Sequence, residues 1–165
     1  MKTTIFSIAS LALVANAGAF GLDFTSVPDG TTIGAPLTIV VAGYGSVEFS
    51  AGNLVDNSGV STLEVGTDLL EGGVPTKSLQ VETNERVIVR FLGAPVTNVA
   101  FGVISVSGDE TAVNSAIAPN LFTLAVTGNG DGSGLKNIGF DAIPEPSSAA
   151  LLGLGVLGLL VRRKR

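Results

Sequence analysis

Residues 86–91 read Arg-Val-Ile-Val-Arg-Phe. In an extended chain, the apolar side chains of Val87, Val89 and Phe91 share one face, and the side chains between them share the other. This alternation with period two predicts a half-buried β-strand rather than a helix.

The same alternation recurs along the middle of the chain, where helical periodicity is nearly absent. Phe122, Leu124 and Val126, for example, alternate with small or hydroxyl-bearing residues, as in a strand with one face in the core. No repeat of solenoid length is visible. The pattern predicts an all-β fold, a two-sheet antiparallel sandwich of the jelly-roll type. About nine short strands are expected, at residues 22–27, 37–41, 47–49, 60–65, 79–81, 87–91, 98–106, 122–127 and 135–141.

Composition excludes several functional classes. The 165 residues include no His and no Cys, which removes imidazole bases, thiolate nucleophiles, disulfides and the usual zinc sites. Between residues 18 and 143 the chain has thirteen acidic and four basic residues, a net charge of −9. Nucleic acid is therefore not an expected partner, because phosphate binding needs clustered Lys and Arg.

The N-terminal segment has the order of a secretory signal peptide. Lys2 is followed by an apolar run at 5–14, too short to span a bilayer, and then by small residues. Ala15 and Ala17 place cleavage after residue 17, although Ala17 and Ala19 would serve two residues later. The alternative is a buried N-terminal helix. The signal predicts export with the Sec machinery and signal peptidase as partners.

The C-terminal segment has three parts: Ile-Pro-Glu-Pro-Ser-Ser at 143–148, an apolar run at 149–161, and four basic residues. As a helix the apolar run would rise about 20 Å, against a hydrocarbon core of about 30 Å. We expect a marginal transmembrane helix, suited to temporary retention. The basic residues would hold this end in the cytoplasm and leave the preceding domain outside; they are Arg162, Arg163, Lys164 and Arg165.

These three parts together resemble the PEP-CTERM sorting segment. The residues that carry the resemblance are Pro144, Glu145 and Pro146, the Leu/Gly-rich run at 151–160 and the Arg-rich end. It implies cleavage near the Pro-Glu-Pro by an exosortase, a polytopic membrane protease and transferase of bacteria that make extracellular polysaccharide and biofilm. Similar tails also follow some ice-binding domains, but no regular Thr array is visible here.

The sequence therefore predicts a signal peptide (1–17), a β-sandwich ectodomain (18–142) and a sorting segment (143–165). Together with the missing residue types, this division predicts a non-enzymatic exported protein, transiently anchored in the inner membrane and then placed at the cell surface or in the biofilm matrix. Gly153, Gly155 and Gly158 match a dinucleotide-binding fingerprint, but they follow no strand and lie in an apolar run, so nucleotide binding is not expected.

Calcium is the one cofactor that the residues leave open. In the segment 128–134, oxygen-bearing side chains alternate at Asn129, Asp131 and Ser133, a spacing that can wrap Ca²⁺. Phe140 stands where an EF-hand loop has its last Glu ligand, so a flexible hairpin turn is the favoured interpretation.

A second calcium hypothesis joins Asp23 on the first strand to Asp141 on the last, with solvated strand edges as the favoured alternative. The ectodomain loosely resembles lectin-like and galactose-binding-like sandwich modules, for example at residues 22–24, 45–50 and 138–141, and the resemblance implies this fold without naming a ligand. The alternative function is a module that binds exopolysaccharide with Ca²⁺, which a cluster of Asp23, Asp131 and Asp141 would favour. The chain has one tyrosine, Tyr44, and no tryptophan, which weakens that alternative. Asp109 and Glu110 are adjacent carboxylates in a predicted loop, a placement that does not favour glycosidase chemistry.

Overall fold

The computed structural model describes residues 18–53, 63–82, 84–105, 110–128 and 132–143. The predicted signal peptide and the residues after 143 lie outside this part of the chain. The described residues form strands and no helix. The strands are Ala19–Asp23 (β1), Thr31–Ile33 (β2), Leu37–Val41 (β3), Gly45–Asn53 (β4), Leu63–Gly66 (β5), Leu70–Glu71 (β6), Val74–Pro75 (β7), Ser78–Val81 (β8), Glu85–Phe91 (β9), Val96–Ile104 (β10), Thr111–Ala118 (β11), Leu121–Thr127 (β12) and Ser133–Ala142 (β13).

Two antiparallel sheets account for most of these strands. In sheet A, β13 pairs with β10 along one edge and with both β1 and β8 along the other, and β5 and β2 continue the sheet beyond β8. Sheet B has the order β11-β12-β9-β4-β3. The short strands β6 and β7 form a separate hairpin.

One hydrophobic core receives side chains from both sheets. Sheet B contributes Val87, Val89 and Phe91, which are buried as their alternation predicts. Sheet A contributes Leu135, Ile138 and Phe140 of β13 to the same cluster. Two sheets that bury their inner faces against each other form a β-sandwich, which confirms the predicted all-β antiparallel fold.

The strand boundaries differ from the predictions at several places. The first strand is Ala19–Asp23 rather than 22–27. Phe24 remains fully buried, but its carbonyl accepts a hydrogen bond from Val27 N at 3.0 Å, so the chain turns where the apolar pattern suggested that it continues. The strand Thr111–Ala118 was not predicted, because it is an edge strand whose residues are nearly all exposed and carries no alternating apolar face.

Candidate functional site at the end of the last strand

The end of β13 is held on both of its edges. On one edge, Ala142 N donates a hydrogen bond of 3.2 Å to Gly18 O. On the other, Ile143 N donates a hydrogen bond of 2.7 Å to Pro95 O. The chain is therefore fixed within the sandwich up to the residue that precedes Pro144.

The sequence explains why the ladder ends here. Pro144 and Pro146 have no backbone N–H, so neither can donate to a neighbouring strand. A residue before a proline is also restricted to extended backbone, which suits Ile143 as the last residue of an extended segment.

The described chain leaves the sandwich at Ile143, and we call this position the exit site. Beside it, residues 92–95 form a crossover that connects β9 of sheet B to β10 of sheet A. The Tyr44 hydroxyl donates to Ala94 O at 2.8 Å. The Asn120 side chain accepts from Val96 N at 3.0 Å and donates to Ala94 O at 3.4 Å. Asn120 has φ of 67°, a left-handed conformation that asparagine tolerates better than most residues. These two side chains fix the crossover whose Pro95 carbonyl holds Ile143.

Four aromatic rings lie beneath the exit site, and we call them the aromatic cluster: Phe20, Tyr44, Phe91 and Phe140. The Phe140 ring centroid lies 4.7 Å from that of Phe91, 4.8 Å from that of Tyr44 and 5.5 Å from that of Phe20. The contacts with Phe91 and Tyr44 are edge-to-face, a geometry that aromatic pairs favour. The cluster fixes β13 three residues before Ile143.

Replacing Tyr44 with phenylalanine should lower the unfolding free energy of the ectodomain, and by more below pH 10 than above it. The variant loses the hydrogen bond to Ala94 O, which costs about 1 kcal/mol of unfolding free energy. Burial raises the pKa of the Tyr44 phenol above its usual value. The folded protein therefore favours the protonated phenol, and this contribution is present below pH 10 and lost as pH rises through the raised folded-state pKa.

Thermal denaturation of both proteins at about pH 8 and about pH 11 checks this prediction, because these values bracket the ordinary tyrosine pKa. The stability difference between the wild type and Tyr44→Phe should shrink at the higher pH. A difference that stays constant would contradict it.

The predicted processing residues lie outside the described part of the chain, but their nearest described neighbours are in contact. Ala15 and Ala17 precede Gly18, and Pro144, Glu145 and Pro146 follow Ile143. The tail residues Arg162, Arg163, Lys164 and Arg165 also lie outside the described part of the chain. The structure thus places the two ends of the described chain, Gly18 and the Ala142–Ile143 pair, side by side at one end of the sandwich.

The structure does not bring Asp23 and Asp141 together. β1 and β13 are neighbours as expected, but Asp23 is opposite Asn137, whereas Asp141 is opposite Ala19. The two carboxylates are four residues apart along the ladder, roughly 13 Å, since a strand rises about 3.3 Å per residue. They do not form a shared ligand pair.

Each of these carboxylates has a local partner instead. Asp23 accepts hydrogen bonds from the hydroxyl and the backbone N–H of Thr25, and these bonds lower the pKa of Asp23. Asp141 accepts from Asn98 Nδ2 at 2.8 Å. Of the loop candidates, Asn129 and Asp131 lie outside the described residues, and Ser133 is buried in β13. Within the described ranges, no group of three or more Asp, Glu, His or Cys residues is placed to hold a metal ion.

Two features of the structure were not anticipated. Glu110 lies just before β11, outside the strands, as the predicted loop requires, but it is buried, and its carboxylate accepts a hydrogen bond from Gly132 N. Such a long-range bond leaves no signal in a local pattern.

The second feature is a shallow groove of about 490 Å³ on the outer face of sheet A, with Gly21 and Gly139 in its lining. Lys77 and Lys136 also line it, paired with Asp29 at 3.0 Å and Glu71 at 2.6 Å. Among the residues that the structure describes, no aromatic ring lines the groove. Carbohydrate binding, with or without calcium, stays a prediction.

Comparison with known proteins identifies the segment that leaves this site. The family model of the PEP-CTERM protein-sorting motif matches residues 142–165. No curated protein and no solved structure gives a significant match to the chain. The match begins at Ala142, the last residue of β13, and it confirms the resemblance seen in the sequence. The chain carries a PEP-CTERM sorting motif, which implies export and membrane-associated sorting with an exosortase as the processing partner.

No helix among the described residues is long and apolar enough to cross a membrane. The apolar run at 149–161, for which a transmembrane helix is predicted, lies outside them.

Proposed function

We propose that this chain is a non-catalytic structural protein of the bacterial cell surface or biofilm matrix. Its tail holds it in the inner membrane after export, with the β-sandwich outside. An exosortase then cuts near Pro144–Pro146 and releases or transfers the ectodomain. The observation that carries the proposal is the exit site, where a folded strand ends directly at the sorting motif.

The pairing of β1 with β13 gives this proposal a geometric basis. Ala19 is opposite Asp141, and Gly18 O accepts the hydrogen bond of Ala142 N. The predicted signal peptide and the sorting segment therefore leave the sandwich from the same end. Both apolar segments can enter one membrane while the domain folds on one side of it, and removal of the signal leaves the tail as the sole anchor.

Two observations support a non-catalytic ectodomain: the residue types that the chain lacks, and the partners that hold its carboxylates. The chain has no His and no Cys. The described carboxylates at Asp23, Asp29 and Asp141 are engaged with Thr25, Lys77 and Asn98. Side chains held in this way suit a stable module better than a reactive site, which needs facing groups in a cleft.

Replacing the four basic residues at 162–165 with glutamine should cause loss of the uncut protein from the membrane fraction. Positive charges next to an apolar span resist transfer across the bilayer, so their removal lets the tail slip through. The matched control conserves charge by changing Arg162, Arg163 and Arg165 to lysine, and it should behave as the wild type. Both variants are compared by membrane fractionation in cells that lack the exosortase. Unchanged retention of the glutamine variant would count against the proposed topology.

A further inference from the structure

The end of the sandwich next to the sorting segment is poor in charged residues. We call it the proximal end and define it by residues 18–22, 40–46, 92–98, 115–122 and 142–143. These segments contain no Asp, Glu, Lys or Arg. They meet through backbone and side-chain contacts, including Ile143 N to Pro95 O, Tyr44 OH to Ala94 O and Phe91 N to Asn120 O. Asp141 lies among these segments, opposite Ala19 and Thr97. Arg90 is opposite Leu121 at their border and is paired with Glu48.

The opposite end of the sandwich is acidic. The turn between β8 and β9 contains Glu82 and Glu85, and Glu82 N donates to Glu85 Oε2 at 3.0 Å. Strand β9 runs from Glu85 to Phe91, so this turn is about 20 Å from the proximal end at about 3.3 Å per residue. Glu110 lies at the same distal end, immediately before β11. Glu82, Glu85 and Glu110 therefore lie far from the sorting segment, whereas Asp141 lies beside it.

Exposed apolar side chains show the reverse distribution. Among the described residues, four of the seven large apolar side chains that are exposed belong to the proximal end: Val40 (77%), Leu92 (51%), Ile117 (59%) and Ile143 (44%). Val40 and Leu92 lie on either side of Ser46 of sheet B, since Val40 pairs with Ser46 and Leu92 N donates to Ser46 O. An end that is poor in charge and exposes several apolar side chains is typical of a surface with a partner.

The length of the connecting chain limits what that partner can be. Five residues separate Ile143 from Ala149, where the apolar run begins. Six residue steps of at most about 3.6 Å span at most about 22 Å. The headgroup layer on one side of a bilayer takes about 5–8 Å of this span. If the apolar run is in the membrane, the proximal end must lie at or close to the lipid surface.

We infer that the proximal end docks on the lipid bilayer while the tail is anchored, with Val40, Leu92 and Ile117 in the headgroup layer. Apolar side chains gain free energy by leaving water for this layer. Docking holds the Pro144–Pro146 segment at the membrane surface, where a membrane-embedded protease can reach it. This inference rests on the proposed function, because it needs the tail in the bilayer.

Depth-dependent fluorescence quenching tests this orientation directly. The chain has no cysteine, so a single introduced cysteine gives a single labelling site. The full chain is reconstituted in vesicles of phosphatidylethanolamine and phosphatidylglycerol that contain a lipid with a nitroxide headgroup. Labels at Leu92→Cys and Ile117→Cys should be quenched several-fold more than labels at the controls Val74→Cys and Val113→Cys. Val113 is a close control, because it is exposed on the same edge strand as Ile117.

The same samples separate the two claims. Flotation of the vesicles reports whether the tail anchors the protein, so a chain that does not float overturns the proposed function itself. A chain that floats but shows equal quenching at all four positions overturns the docking inference alone. Proximal labels that the lipid nitroxide does not quench, but whose fluorescence changes when an exosortase is added, would also overturn it. Such a result would point to a protein partner. Circular dichroism of each labelled variant confirms that the sandwich is folded.

Discussion

Replacing Phe140 with alanine should destabilise the ectodomain by about 3–5 kcal/mol. The side chain is 3% exposed and contacts the rings of Phe20, Tyr44 and Phe91. Its removal leaves a cavity in the aromatic cluster, because the surrounding sheets cannot collapse fully around the smaller residue. Domains of this kind are stable by about 5–15 kcal/mol, so the loss is a large fraction of the total.

Denaturant unfolding followed by circular dichroism measures this loss. Val113→Ala serves as the control, since Val113 is exposed on an edge strand and the change should stay within about 0.5 kcal/mol. If Phe140→Ala matched the control, the cluster would not support β13, and the description of the exit site would fail. We also expect faster proteolysis of the Phe140 variant, because partial opening exposes the end of β13.

The alternating patterns predicted the inner strands of the sandwich well. Val87, Val89 and Phe91 are buried because β9 lies in the middle of sheet B, with one face against the core. The edge strand Thr111–Ala118 was missed for the complementary reason. Nearly all its side chains are exposed, so burial imposes no alternation on its sequence. Alternation of apolar and polar residues arises from burial of one strand face. A strand held mainly by backbone hydrogen bonds therefore shows little alternation in its sequence.

The arrangement of the site could be predicted only in part. The sorting segment was recognisable because its three parts are contiguous in sequence and require no tertiary contact. The neighbouring placement of Gly18 and Ala142 was not predicted, because the sequence does not give the register in which the first and last strands pair. Asp23 and Asp141 show the same limit, since their strands do pair but the register separates them by four residues. Buried Glu110 bonds to Gly132, twenty-two residues away, which a local pattern does not encode.

The largest functional effect expected is the loss of the whole tail on processing. The match at residues 142–165 implies an exosortase as partner, and the described part of the chain ends at Ile143. Cleavage near Pro144–Pro146 would therefore remove the apolar run and all four basic residues without disturbing β13. The released ectodomain keeps its core, since the described core residues all precede the motif.

Mass spectrometry of the protein from cells with and without a functional exosortase tests this most directly. With the enzyme, the chain should end near Pro144–Pro146; without it, the chain should end at Arg165 and stay in the membrane fraction. The N-terminus provides an internal control, because signal cleavage after Ala17 should occur in both strains. An intact Arg165 terminus in both strains would contradict the account.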